Sequence, residues 1–579
     1  MSMGVVAMFL RQVKTKNSGR IYLSIVHGYR DKASKKPKTK TIESLGYLDE
    51  LEKQYDDPVS YFTEKAKRMN EQHAAERAAI SFNIQQNEHI SVGSVNRKNF
   101  GYAALSKIYH ELGIHTFLIN RQRHAKHNYD ANSIMKLLVF SRLLYPASKK
   151  KTYENKETFF EKSNFSLDDV YRCLSFLDKH KNALQLWLHE RIKELQDRNT
   201  SLVYYDVTNY YFEIDEQDEL RKKGVSKEHR PDPIVQMGLF MDTDGIPITY
   251  GLHPGNMLDK QTLIPMLREI QKKFSLGRTI VVADKGMTTG DNIWYILSAK
   301  NGYVLSYSIR GADQKFKGYV LNPNGYTAIG EDFKIKSRLY PREIYVTTTT
   351  GKKMKKSVDE KQVIFYSEKY AAKAREERAQ AVEKAKKLVS NPSAFNRATS
   401  YGAAKYVKGL TFDAKTGEIL EDAEQSLQFD EEKLRQEEEL DGYYAIVTSE
   451  FEETDERIVE IYRGLWKIEE SFKVTKSDLE SRPVYLSTQE HIEAHFLTCF
   501  VTLVIARLLE RRLSGKYSVT AIAESLRKAS CSHIQENYYL FDYLDEILEA
   551  IGKQTGIDFG KKCMSLGEIK KILGDVKKA

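Results

Sequence analysis

Residues 201–208 read Ser-Leu-Val-Tyr-Tyr-Asp-Val-Thr. Aromatic and β-branched side chains suit a pleated, enclosed surface, so this run predicts a buried strand. Its one acid, Asp206, stands where a carboxylate is scarce, because strands disfavour Asp and interiors disfavour unpaired charge. The same conflict recurs in Arg278-Thr-Ile-Val-Val-Ala-Asp, where Asp284 ends a short apolar run before Lys-Gly and turn chemistry. A third acid, Glu469, lies in a helical stretch with the spacing Tyr462-x6-Glu469-x6-Lys476. A pair of Mg²⁺ ions is the partner that would reconcile all three carboxylates with their surroundings.

Working outward, Ile234-Val-Gln-Met-Gly-Leu-Phe-Met and Ile246-Pro-Ile-Thr-Tyr-Gly-Leu read as strands joined by the hairpin signal Asp242-Thr-Asp-Gly. A helix over Lys260 to Phe274 leads into the strand of Asp284. A further helix and the strand Gly302-Tyr-Val-Leu-Ser-Tyr-Ser follow. The series βββαβαβ is that of an RNase H-like core, a mixed sheet flanked by helices. In such a sheet the first and fourth strands are parallel neighbours, and sites lie beyond their carboxyl ends where strand order reverses. That topology would bring Asp206 and Asp284 together although 78 positions separate them.

The fold class expected is therefore multi-domain α/β, its core interrupted by a β-rich insertion and flanked by a basic N-terminal β module and all-α regions. Residues 1–55 form the basic module and 56–199 a helical region, both expected to bind DNA. Residues 200–310 and 441–512 make the two parts of the core, 311–440 the insertion, and 513–579 a helical end suited to dimerisation. Pro58 to about Gln85 reads as a charged linker helix. Within the helical region, Tyr102–Leu112, Ala131–Leu144, Leu167–Leu177 and Lys181–Leu195 are amphipathic. In the insertion, Tyr319–Leu321, Glu343–Thr348 and Gln362–Tyr366 read as strands, Tyr370–Val389 as a helix, and Tyr443–Ser449 as a strand leading to a helix over Arg457–Lys476.

A chain of 579 residues exceeds a single core, and 41% hydrophobic content with 11% aromatic suffices for folding. Four scattered cysteines without a CxxC pair argue against a disulfide frame or a zinc site and point to a reducing compartment. No secretory leader is expected ahead of Met8-Phe-Leu, and the run Phe496–Ala506 is short of the roughly 20 residues a membrane span needs. The expected location is intracellular. The net charge of +10 is concentrated at the start: residues 1–40 hold ten Lys or Arg and one Asp. Strands there alternate with basic turns, an electrostatic footprint for nucleic acid. Lys14, Lys16, Arg20, Lys35, Lys36 and Lys38 are its candidate phosphate contacts.

On a continuous helix at about 100° per residue, Tyr462, Leu465, Glu469, Phe472 and Lys476 share one arc, with Arg463, Lys467 and Glu470 opposite. Glu469 would thus lie in the apolar stripe and Glu470 would be a solvated surface acid. Simpler roles stand beside these: Asp284 as a helix cap, Asp206 bonded to Thr208, Glu469 paired with Lys473, and His491 and His495 as core or capping histidines.

Several motifs together resemble the DDE transposases of bacterial insertion sequences. They are Tyr204-Tyr-Asp-Val-Thr, Gly251-Leu-His-Pro-Gly-Asn-Met-Leu-Asp, Val282-Ala-Asp-Lys-Gly-Met, and Tyr462-Arg-Gly-Leu-Trp-Lys-Ile-Glu-Glu-Ser-Phe-Lys-Val-Thr-Lys. The branch resembled carries a β-rich insertion before its last acid and a Tyr-x2-Arg-x3-Glu-x6-Lys signature, whose Arg falls on Leu465 here. Arg142-Leu-Leu-Tyr-Pro-Ala-Ser-Lys and Ser481-Arg-Pro-Val-Tyr also resemble the longer members. The resemblance implies double-stranded DNA as substrate, terminal repeats as recognition sites, and two Mg²⁺ ions (replaceable by Mn²⁺) held by Asp206, Asp284 and Glu469. Water would attack at each element end and the freed 3′-hydroxyl would attack target DNA, two copies of the chain acting on paired ends. Tyr462, Arg463, Lys476, Arg482, Arg142 and Lys149 are the expected DNA contacts of the body. A nuclease or resolvase on the same fold, or a DNA-binding derivative without catalysis, are the competing expectations.

Overall fold

Two units divide the chain, residues 1–94 and 95–579. The computed structural model describes residues 8–15, 19–30, 37–77, 82, 87, 89–123, 125–227, 231–395, 399–400, 402–412, 419–420 and 427–578. In the first unit β1 (Met8–Lys14), β2 (Ile21–Arg30) and β3 (Pro37–Tyr47) pair antiparallel in chain order, as their alternation and basic turns imply. The short α1 (Leu48–Leu51) and the long α2 (Pro58–Arg77) follow. Leu23 packs with Leu51 and Phe62, and Ile25 with Met8 and Ala66, so α2 is built into the module instead of linking it onward.

In the second unit β4 (Arg97–Asn99) precedes α3 (Tyr102–Glu111), α4 (Ile114–Gln122), α5 (Ala131–Leu144), α6 (Lys149–Glu154) and α7 (Leu167–Leu195). Caps set these helices: Asp130 accepts from Asn132 and Ser133 ahead of α5, and Ser166 with Asp169 forms a capping box ahead of α7. The two amphipathic runs 167–177 and 181–195 are one helix.

Next come β5 (Leu202–Tyr211), β6 (Ile234–Met241), β7 (Pro247–Pro254), α8 (Asp259–Lys273), β8 (Ile280–Ala283), α9 (Gly290–Ser298) and β9 (Gly302–Tyr307). The expected βββαβαβ series is present. After α10 (Gln314–Leu321) and the two-residue β10 (Thr327–Ala328), the long strands β11 (Phe333–Thr347) and β12 (Lys353–Ser367) form a hairpin, followed by α11 (Glu368–Ser390). Two small ladders, β13 (Val407–Lys408) with β16 (Gln428–Phe429) and β14 (Thr411–Phe412) with β15 (Ile419–Leu420), precede α12 (Glu431–Glu438) and β17 (Tyr443–Thr448).

All the longer strands of this region join one sheet in the order β10-β11-β12-β17-β9-β8-β5-β6-β7. Pairing is parallel at β5–β8 and β8–β9 and antiparallel elsewhere. The insertion is therefore no separate β domain at its base, because β11 and β12 widen the core sheet itself. Residues 319–321, expected as a strand, end helix α10, which Asp313 opens by accepting from the Phe316 amide at 2.8 Å.

The chain then forms α13 (Asp455–Arg463), α14 (Trp466–Lys473) with a π-helical turn (Val474–Asp478), and α15 (Gln489–Arg512). It closes with α16 (Val519–Lys528), β18 (Ser530–His533), β19 (Tyr538–Phe541), α17 (Glu546–Thr555), β20 (Cys563–Ser565) and α18 (Leu566–Asp575). The end is not all-α. Strands β20-β19-β18-β4 form a four-stranded sheet that ties it to residues 97–99. Helix α15 is apolar and long enough to cross a membrane, but 94% of its apolar window is buried inside the protein. It contacts α3, α5 and α7 and is the central beam of the helical body. Leu497 to Leu509 are all buried within it.

One ion pair locks the sheet to the helical body. Arg198, between α7 and β5, donates Nε to Asp242 at 2.9 Å, and the two side chains are 1% and 0% exposed. The guanidinium also reaches the Ile246 and Pro247 carbonyls, and Asp242 accepts the Ile246 amide, closing the β6–β7 turn. Burial pulls both groups toward their neutral forms. Arg198→Met, which strands a buried carboxylate, should lower unfolding free energy by about 3–5 kcal/mol. Arg198→Met with Asp242→Asn should recover part of that loss in urea denaturation.

Candidate functional site

The parallel register of β5 and β8 aligns Tyr204 with Val282 and Tyr205 with Ala283. The next residues on the two strands are Asp206 and Asp284. Neighbouring strands lie about 4.8 Å apart, so the acids stand side by side at the carboxyl edge. The Asp206 carboxyl is pushed up to about 6 by burial and by the charges of Asp284 and Asp259, against the opposing pull of Lys227 and the Val207 amide. That amide donates to Asp206 Oδ1 at 2.7 Å, and no bond to Thr208 forms.

Asp284 does not serve as a cap, for its side chain bonds no helix amide. Its Oδ1 accepts from Ser306 Oγ on β9 at 2.8 Å and from the Tyr462 hydroxyl at 3.3 Å. Burial and the charges of Asp284 and Glu469 raise the Tyr462 phenol, which keeps it a donor. Tyr462 thus links the signature helix to the strand acid.

That helix is not continuous. A turn at Gly464–Leu465 separates α13 from α14, and the π-helical turn follows Lys473. Gly464 presses on β5: a Cβ there would lie 2.1 Å from the Tyr204 hydroxyl oxygen. The π-helical turn is fastened by Thr475 Oγ1 to the Tyr210 hydroxyl at 2.7 Å. These departures overturn the single-arc reading. Leu465 and Phe472 are buried, but Glu469 is exposed, on the side from which its charge reaches Tyr462. No ion pair joins Glu469 to Lys473 among the described residues. Glu470 is no free surface acid either, as Arg507 of α15 holds it at 3.2 Å while donating to Ser471 Oγ at 2.9 Å.

Lys476 lies over the Tyr210 ring, 5.7 Å from its centroid, with its amine lowered to about 8 by burial and by Lys227, against the attraction of Asp206. Lys227 was missed in the sequence because its loop has no periodicity. Its ammonium donates to the Val207 carbonyl and lies 3.8 Å from Asp259. Ser306 was missed as well, being one Ser in an ordinary strand.

Among the described residues no three His, Cys, Asp or Glu side chains gather closely enough to hold a metal ion. The aspartate pair nonetheless fits a hard divalent cation. Asp206 is penalised for its charge by burial and by Asp284, and a cation between them would relieve both costs. Both bonds to Asp284 go to Oδ1, which leaves Oδ2 for a cation. Glu469 stands off from this pair on α14.

The remaining expected contacts divide. Arg463 is exposed, with its guanidinium 5.5 Å from the Phe333 ring centroid. Arg482 lies 6.0 Å from the Tyr211 ring centroid. Arg142 and Lys149, both expected to contact DNA, lie in the interior, 5% and 4% exposed. Arg142 donates to the Leu479 and Ala147 carbonyls. In the first unit Lys14 and Lys38 are exposed. Arg20 is occupied by Asp49 at 2.8 Å and Glu50 at 2.5 Å and packs on Tyr47. Lys16, Lys35 and Lys36 lie outside the described residues.

The raised Asp206 has a testable sign. Without metal, its unfolded carboxyl loses a proton near 4 and its folded one near 6. The folded state therefore holds the extra proton in that window, and stability falls as pH rises through it. Asp206→Asn should raise the urea midpoint at pH 7 relative to wild type and give no such gain at pH 3.5. Mg²⁺ should raise the wild-type melting midpoint more at pH 7 than at pH 5, and leave the variant unmoved. Equal responses at both pH values would remove Asp206 from the cation site.

The transposase DDE domain model matches residues 215–505, half of the chain, beginning just beyond β5 and Asp206. The model of the IS1634 family transposase N-terminal domain matches residues 10–80. No curated protein matches. Among solved structures the chain is similar to a piggyBac transposase synaptic complex with hairpin DNA, at 7% identity and a TM-score of 0.36, covering 82% of this chain and 84% of that one. It is also similar to the Mos1 transposase paired-end complex with left transposon end, at 16% identity and a TM-score of 0.14, covering 31% and 60%. Both likenesses are too loose to bear on the fold. The two family models do bear on it: between them they take in the N-terminal module and most of the sheet and signature helix, and the chain belongs to the DDE transposases of insertion sequences.

Proposed function

We propose that the chain binds the terminal inverted repeats of an insertion sequence, hydrolyses a phosphodiester at each end, and joins the freed 3′-hydroxyls to target DNA. The observation that carries this reading is the pairing of Asp206 with Asp284 on adjacent parallel strands, at the edge where an RNase H-like sheet places its site. In the first step the water oxygen bonds to phosphorus and the P–O3′ bond breaks, leaving a 3′-hydroxyl. In the second that hydroxyl bonds to a target phosphorus and displaces a target 3′-oxygen.

Asp206 and Asp284 would hold Mg²⁺, with Glu469 supplied from α14 as the third carboxylate. The bound ions supply Lewis-acid stabilisation of the attacking and leaving oxygens. The other side chains position the substrate. Lys476, held beside Tyr210 and mostly protonated at pH 7, offers a point charge to a non-bridging phosphate oxygen. Ser306 and Tyr462 fix the orientation of Asp284 by bonding one of its oxygens. Exposed Lys14 and Lys38 of the N-terminal unit would follow the phosphate backbone, and two copies of the chain would act on paired ends.

Single-turnover cleavage of an end duplex in Mg²⁺ tests the assignment. Asp206→Asn and Asp284→Asn should lower the rate by several orders of magnitude and leave DNA binding intact. Glu469→Gln should do the same, whereas Glu470→Gln, which loosens Arg507, should lower stability with little effect on rate. A Glu470→Gln enzyme that is the inactive one would reverse the two roles on α14. Products in which the end is cut yet never joined to target would favour a nuclease on the same fold. The mass of the end complex should correspond to two chains with two ends, and one chain on two ends would exclude the paired arrangement.

A further inference from the structure

Two motifs have no part in the acid site, Arg142-Leu-Leu-Tyr-Pro-Ala-Ser-Lys and Ser481-Arg-Pro-Val-Tyr, yet the fold brings them together. They line a cavity of about 200 Å³ between the start of α6, α7, α15 and the segment after the π-helical turn. Arg142, Lys149, Arg482, Tyr171, Tyr485 and His495 face it, with Glu480 at its exposed margin.

The buried end of this cavity is basic. Arg142 and Lys149 are buried, and among the described residues no carboxylate lies within ion-pair distance of either. Arg142 spends its terminal nitrogens on two backbone carbonyls, and its buried Nε has no partner. Lys149 Nζ lies 3.3 Å from His495 Nδ1. Burial keeps that imidazole neutral, and its Nε2 faces the Ser481 carbonyl at 3.4 Å, which leaves Nδ1 as an acceptor. The histidine orients the lysine without neutralising it. Burial and Arg142 lower the Lys149 amine to about 7. A buried guanidinium with no carboxylate partner, next to an amine that burial drives toward its neutral form, is costly, and an anion entering the cavity would offset that cost and hold the amine protonated. The volume is several times the roughly 30 Å³ share of a water molecule, ample for a tetrahedral oxyanion. Exposed Tyr485 and half-buried Arg482 mark the mouth, and Arg482 stands over Tyr211, five residues beyond Asp206 and roughly 17 Å along β5.

We propose that this cavity binds a phosphate group through Lys149, Arg142 and Arg482, either a backbone phosphate of DNA held away from the reacting bond or a free phosphate. The DNA source rests on the function proposed above; the anion site does not. Sulfate, a dianion of the same shape, is the probe, applied to the full chain at matched ionic strength against chloride. Sulfate also stabilises proteins generally by exclusion from their surface, so the readout is the difference between wild type and variants. Lys149→Met keeps the packed stem and removes the buried charge, and Arg482→Gln removes the charge at the mouth. Wild type should show a saturable rise in melting midpoint of at least about 2 °C beyond both variants. Equal responses in all three proteins would overturn the pocket. In the second arm an end duplex is titrated. If a DNA phosphate enters, Lys149→Met should reduce the slope of log K against log salt by about one unit and sulfate should compete. A retained sulfate effect with an unchanged slope assigns the pocket to the free anion. A chain that bound sulfate in this way but no DNA would refute the proposed function and leave the pocket standing.

Discussion

The parallel pairing of β5 with β8 is the constraint on which the rest of the site depends. It forces two carboxylates into adjacent positions at the edge of a buried sheet, where neither burial nor mutual repulsion favours their charge. Each neighbour answers that problem. Ser306 and Tyr462 donate to Asp284, the Val207 amide donates to Asp206, and Lys227 and Lys476 bring positive charge from two separate segments. None of these removes the whole cost, and Asp206 keeps a raised carboxyl beside Asp284.

A second set of contacts determines where the last acid can stand. Gly464 allows the backbone of the signature segment to touch Tyr204, and Tyr210 grips Thr475 one turn beyond α14. From the other side Arg507 of the buried α15 holds Ser471 and Glu470. Glu470 is therefore fixed toward the helical body, which turns its neighbour Glu469 outward, to the side of Tyr462. Adjacent acids on one helix meet opposite surroundings, Glu470 an arginine of α15 and Glu469 the exposed face.

The sheet was legible because strands announce themselves by alternation and by acids that violate it. Asp206 and Asp284 were the informative residues for that reason, and the hairpin at Asp242 fixed the order between them. Contacts between distant segments left no such trace. Strands β18 to β20 are three or four residues long and complete their sheet with β4, more than 430 residues earlier, so their stretch read as helix. The run Tyr319-Val-Leu has strand-like side chains, but the Asp313 cap upstream commits it to helix. The signature segment read as one helix because a lone glycine is tolerated within a helical pattern. What Gly464 meets in space, a tyrosine on β5, is invisible to periodicity. The same holds for Arg142 and Lys149, whose basic motif resembles a surface patch until α15 is laid across it.

The insertion separates Asp284 from Glu469 by 185 residues, and that distance has a meaning in time. At roughly 5–20 residues per second, a ribosome needs about 10 to 40 s to pass from one to the other. Throughout that interval the nascent chain carries two acids and lacks the third, and β17 has no place until β12 has been made, since it lies between β12 and β9. An interrupted or frame-shifted product ending within the insertion would carry the aspartate pair on an unfinished sheet, without β17 and without Glu469. Under the function proposed above, such a fragment would lack one of the three carboxylates, so partial synthesis would leave no complete cutting centre.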